Sequence, residues 1–94
     1  MDKAIQREIY ADVLERLIIH LRNRTDVQNI DLMNLSGFCR NCLSKWYVNA
    51  AEKKNIKVDY DKARELIYGM PYNEWTDKYQ IEATKEQLEK LKEK

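Results

Sequence analysis

Cys39 and Cys42 are the two cysteines of the chain, and their C-x-x-C spacing is the one arrangement in it that suggests chemistry. Residues three apart on a helix lie roughly 60° apart around its axis, so a helix through this stretch makes the two thiols neighbours. Three uses fit. Free cysteines on an apolar helix face serve as small core hydrophobes, and this is the leading expectation. As a redox pair, Cys39 in the first helical turn would be the attacking thiolate, favoured by the helix dipole and with Arg40 alongside; a preceding strand, as in a thioredoxin-like βαβ unit, is not legible here. As half of a zinc or iron site the pair needs further ligands, His20 first and then carboxylates such as Asp26 or Asp31. With a single histidine, itself within an apolar stripe, no nucleophile–base arrangement of a hydrolase can be assigned.

These side chains need a helix to carry them. Ser36 suits an N-cap and Gly37 a sharp entry turn. From about Phe38 to Lys54 the pattern is helical, with Cys39, Cys42, Leu43, Trp46 and Ala50 at i, i+3, i+4, i+7 and i+11 on one face. That face is expected to turn inward, burying Trp46, with Asn41, Ser44 and Lys45 on the other. This helix is read as central, with the others packed around it.

A first helix is expected from Asp2 to Arg24. Ile5, Ile9, Val13, Leu17 and Leu21 step by four, and Tyr10, Leu14 and Ile18 widen the stripe. A stripe this wide predicts contact on two sides, with the core and with a second subunit. His20 falls within it and is expected to be buried or half-buried. Thr25 to Gln28 reads as a capping box opening a short helix to Leu35, with Val27, Ile30 and Met33 or Leu35 facing in. Asn29, Asp31 and Asn34 are its polar residues, available for capping or solvent contacts or for a polar pocket beside Cys39. Asn55 suits a left-handed residue after the central helix. Asp59 is placed to cap a fourth helix, with Ala63, Leu66, Ile67 and Met70 on one face. Gly69 and Pro71 then stop that helix and open a fifth, and Tyr68, Tyr72, Trp75 and Tyr79 form an aromatic stripe expected in the core. Thr84 to Gln87 is a second capping box, and the helix after it has only Leu88 and Leu91 as apolar anchors.

Ninety-four residues suffice for one domain, 1–94, with its own core. Two glycines and one proline leave little material for hairpins, which favours an all-α fold. The 17 basic and 16 acidic residues are interspersed and sum to +1, which argues against binding driven by nucleic-acid phosphates. No apolar run approaches the ~20 residues that span a bilayer. Two cysteines three apart make no disulfide framework, and the charged N-terminal helix does not resemble a secretion signal, so the expected location is the cytoplasm.

The strings Arg24 to Leu35 and Gly37 to Tyr47, with Tyr60 to Glu65 and Tyr68 to Tyr72, resemble a short bacterial family of unknown function, number 1244 of the domain-of-unknown-function series. Members carry a proline after the threonine of the last capping box, where Lys85 stands. The resemblance implies a small all-helical cytoplasmic protein and brings no catalytic residues with it. The expected fold is a compact all-α orthogonal bundle of five to six short helices around the Phe38–Lys54 helix. The expected function is a non-enzymatic module that binds another protein or forms a homodimer. The alternative is a thiol-redox or metal centre on Cys39 and Cys42.

Overall fold

The structure is a computed structural model that describes residues 1–93. Six helices follow one another among them, with no strand: α1 (Lys3–Asn23), α2 (Asn29–Ser36), α3 (Arg40–Glu52), α4 (Tyr60–Tyr68), α5 (Tyr72–Tyr79) and α6 (Lys85–Lys92). The all-α architecture is the one expected.

Most boundaries follow local chemistry. Asp2 caps α1 by accepting a hydrogen bond from the Ala4 amide at 3.2 Å. Asn55 takes the left-handed conformation that ends the α3 region, with φ 61°. Gly69 does the same after α4 at φ 78°, where a β-carbon would stand 2.9 Å from the Arg22 side chain. The Thr84–Gln87 capping box forms as read, with the two side chains bonding reciprocally to each other's backbone amides at 3.1 and 2.7 Å.

Two boundaries move. The box at the start of α2 shifts by three residues: Gln28 is the N-cap, and Asp31 returns the bond to the Gln28 amide. Ser36 and Gly37 close α2 instead of opening α3. Ser36 Oγ donates back to the Leu32 carbonyl, and Gly37, at φ 80°, is the left-handed cap. The N-cap of α3 is therefore Cys39, three residues after the expected Ser36, and a single residue, Phe38, separates it from the Gly37 cap that closes α2.

The core is an aromatic cluster gathered by α4 and α5. Leu21, Leu43, Ile67, Tyr68 and Trp75 are buried, with Ile18, Leu32, Phe38, Met70, Tyr72 and Tyr79 packed around them. Tyr68 meets Tyr72 and Trp75 edge-on, with centroids 5.3 and 5.1 Å apart, and Trp75 meets Tyr79 at 5.8 Å. The aromatic stripe is in the core as expected. In α4, Ala63 and Ile67 face in, whereas Leu66 is exposed because Tyr68 takes the inner position.

The inward face of α3 is not the one that apolar spacing indicates. Arg40, Leu43 and Ser44 are buried, while Trp46 is 56% exposed and Ala50 lies on the surface. The helix is rotated so that two polar residues enter the core. Arg40 has hydrogen-bond partners there, and Ser44 Oγ donates to the Arg40 carbonyl at 2.9 Å. Trp46 rests on the outside against Phe38, with ring centroids 6.2 Å apart.

Polar bonds attach α6. Gln87 Nε2 donates to Asp31 Oδ1 at 2.9 Å, and Asn34 Nδ2 donates to the Gln87 carbonyl at 3.0 Å. Gln28, itself buried, donates to the Tyr79 carbonyl at 2.9 Å and accepts from the Ile81 amide at 3.1 Å. The asparagines and aspartate of α2 thus tie helices together. Leu88, one of the two expected anchors, is exposed.

Candidate functional site

The cysteine pair sits at the start of α3. Cys39, in extended backbone geometry as the N-cap residue, is buried, and Cys42 is half-buried one turn on. Their sulfurs lie 4.0 Å apart, and Cys42 Sγ is 3.9 Å from Met33 Sδ. Burial pushes the Cys39 thiol above its ordinary pKa, and its neighbour Cys42 adds to the rise, against the lowering effect of the backbone amides of Cys42 and Asn41. A protonated, enclosed thiol is a poor nucleophile. Cys39 caps the helix and does not occupy its first turn.

The structure does not bring the other candidate ligands to the pair as a cluster. Among the described residues no group of three or more His, Cys, Asp and Glu side chains is arranged to hold a metal ion. His20 is exposed on α1, not buried as its place in the stripe suggested, because the outer part of that helix has no covering layer. Asp26 is held by Arg24, and Asp31 by Gln87 and the Gln28 amide.

The principal polar site inside the molecule is built on Arg40, which is 1% exposed. One terminal nitrogen donates to the Val27 carbonyl at 2.8 Å and to Asn29 Oδ1 at 3.0 Å. The other donates to the carbonyls of Arg24 at 2.8 Å and Leu21 at 3.3 Å. These carbonyls belong to the last turn of α1 and the segment leading to α2; those of Leu21 and Arg24 also accept from the amides of Arg24 and Val27, both at 3.1 Å, so the guanidinium adds a charged donor to the turns that close the helix end. Asn29 also donates to the Tyr68 hydroxyl at 2.8 Å, and that hydroxyl donates to Asn41 Oδ1 at 2.8 Å. Burial lowers the pKa of Arg40 from its ordinary value, while Tyr68, Cys39 and Asp26 act in the opposite direction. The network joins α1, α2, α3 and α4 at one point. The sequence suggested Arg40 only as a neighbour of the Cys39 thiol and not as a buried joint, although one signal was present: a cation in the first turn of a helix opposes the dipole and needs another reason to be there.

What this joint holds out is the rest of α1. From Met1 to Leu17 every residue is exposed, among them Ile5, Ile9, Tyr10, Val13, Leu14 and Leu17. Only the C-terminal end of the helix is anchored. Leu21 enters the core, Ile18 packs beside it, and Arg22 donates to the carbonyls of Ile67 and Leu66. The molecule measures 47 × 27 × 24 Å. A lone helical segment of fifteen or so residues is marginal in water, and an uncovered apolar stripe is a surface suited to a partner.

The fold therefore defines a small all-α protein with a polar joint at its centre and an apolar helical arm. A family model described as protein of unknown function (DUF1244) matches residues 27–93, and the chain belongs to that family. The match begins at Val27, after α1, and covers α2 to α6. No curated protein matches the chain.

Among the described residues no helix is long and apolar enough to cross a membrane.

Proposed function

We propose that the chain is a small cytoplasmic association module, working by binding and not by catalysis, and that its partner is a second copy of itself. The observation that carries this reading is the exposed stripe of α1, with Val13 and Tyr10 each 63% exposed and Ile5 51%. Two such helices can cover one another and leave their polar residues in water. An arm of this length offers fewer residues than the ~20–30 per side of a standard interface, so an affinity in the micromolar range is expected. The balanced net charge of +1 supports a protein partner over nucleic acid.

Sedimentation equilibrium at high micromolar concentration tests the reading. The parent protein is expected as a dimer, and Val13→Glu as a monomer with unchanged helical circular dichroism. A monomeric parent under those conditions refutes it.

A further inference from the structure

We infer that the two α1 arms pair antiparallel, crossing at Val13; this rests on the self-association proposed above. The argument lies in the row of side chains beside the apolar one. Ile5, Ile9, Val13 and Leu17 step by four along the helix, and so do Glu8, Asp12, Arg16 and His20 along its flank. That flanking row is acidic in its N-terminal half and basic in its C-terminal half. No ion pair involving Glu8, Asp12 or Arg16 forms among the described residues, and all four side chains belong to exposed residues.

In an antiparallel helix pair, each flank of one helix lies over the same flank of the other, running in the opposite direction. With the two-fold axis at Val13, Val13 meets its own copy and Ile9 faces Leu17 of the second copy. Asp12 then comes within a turn of Arg16 of the second copy, twice by symmetry, and Glu8 similarly approaches His20. In a parallel pair the flank lies instead over the opposite flank, which carries the exposed Tyr10 and Leu14, and Asp12 and Arg16 gain no such pairing. The reversal of charge along one row is what a helix needs in order to recognise its own copy head to tail. The buried Arg40 joint contributes by fixing the root of each arm.

Two sets of variants test this in the full chain, read by sedimentation equilibrium at low salt, where exposed charges act most strongly. Asp12→Arg and Arg16→Asp each place like charges opposite one another twice, and each is expected to weaken the dimer about tenfold. The double variant Asp12→Arg/Arg16→Asp restores the pairs with their signs exchanged and is expected to recover dimerisation to within about threefold of the parent. Separately, Val13→Cys should form a disulfide-linked dimer on mild oxidation. Ile5→Cys should not, because its two copies lie about 24 Å apart along an antiparallel pair. The parent, run alongside, accounts for Cys39 and Cys42. A dimer in which Ile5→Cys links as readily as Val13→Cys, or in which the double charge variant is weaker than both singles, overturns the antiparallel arrangement and leaves self-association standing. A monomeric parent overturns both.

Discussion

The guanidinium carbon of Arg40 lies 4.9 Å from the centroid of the Trp75 ring, and each residue is only 1% exposed. A cation is thus enclosed in the core with an aromatic face beside it and backbone carbonyls around it, and no carboxylate is among its hydrogen-bond partners. The arrangement is stable because each terminal nitrogen makes two hydrogen bonds, and because charge-assisted bonds in a dry site are stronger than neutral ones.

Replacing Arg40 by methionine should therefore cost more than the lost packing. It leaves the carbonyls of Leu21, Arg24 and Val27 without this donor, and a destabilisation of about 3 kcal/mol or more is expected. Arg40→Lys should recover little of it, since an ammonium cannot reproduce the planar fork. Urea midpoints at one fixed protein concentration measure both, the fixed concentration being needed because association shifts apparent stability. A lysine variant as stable as the parent would mean that the fork geometry is immaterial.

The two tryptophans should behave in opposite ways. Trp75 is the largest fully buried side chain, so Trp75→Ala is expected to destabilise by about 3–5 kcal/mol. Trp46 lies mostly in solvent against Phe38, and Trp46→Ala should cost less than about 1 kcal/mol. Acrylamide should quench the fluorescence of Trp75→Phe, which retains Trp46, far more than that of Trp46→Phe. Equal quenching of the two would contradict the orientation of α3.

That orientation marks where the sequence stops being legible. Helix number and most ends could be read because they depend on local chemistry, as at Asp2, Gly69 and Thr84. The aromatic core could be read because Tyr68, Tyr72, Trp75 and Tyr79 are too large and too regularly spaced to leave uncovered. The face of α3 could not, because apolar periodicity assumes that polar residues point outward. Arg40 and Ser44 point inward, since their hydrogen-bond partners are supplied by segments that only the fold brings near. The same limitation applies to α2. Asn34 meets Gln87 across 53 residues of chain, and no local pattern announces that bond. For the candidate site, the stripe on α1 was legible and its apolar breadth pointed to a second contact, while the exposure of His20 depends on how little of the helix the core covers.

The thiols offer a further test. Cys39 is the more enclosed, and its pKa is raised chiefly by burial, whereas Cys42 is half-buried. Native protein at neutral pH should react slowly with a thiol reagent, and Cys42 should be labelled before Cys39, as mass mapping of the adducts would show. Unfolding in urea should make the two equally fast. Rapid labelling of Cys39 in folded protein would favour the redox alternative, and one zinc or iron retained per chain through purification would favour the metal alternative.

Alkaline pH should destabilise the fold at two places. Burial raises the Cys39 thiol above its ordinary 9.0 and the Tyr68 phenol above its ordinary 10.0. Both groups keep their protons in the native state at pH values where the unfolded chain has begun to release them. The native state then holds more protons, so unfolding free energy falls as pH rises. The contribution is intact below about pH 8, begins to be lost as the unfolded thiol titrates near 9, and is lost further as the unfolded phenol titrates near 10. The Tyr68 hydroxyl is also the link between Asn29 and Asn41, so its ionisation removes the proton that it donates to Asn41. Tyr68→Phe should lower stability by about 1–2 kcal/mol at pH 7, through the amide groups that it leaves unpaired. It should also make the decline above pH 10 shallower than in the parent. Urea midpoints from pH 7 to 10.5 measure both effects, and parallel declines in the two proteins above pH 10 would show that Tyr68 does not contribute to the alkaline loss.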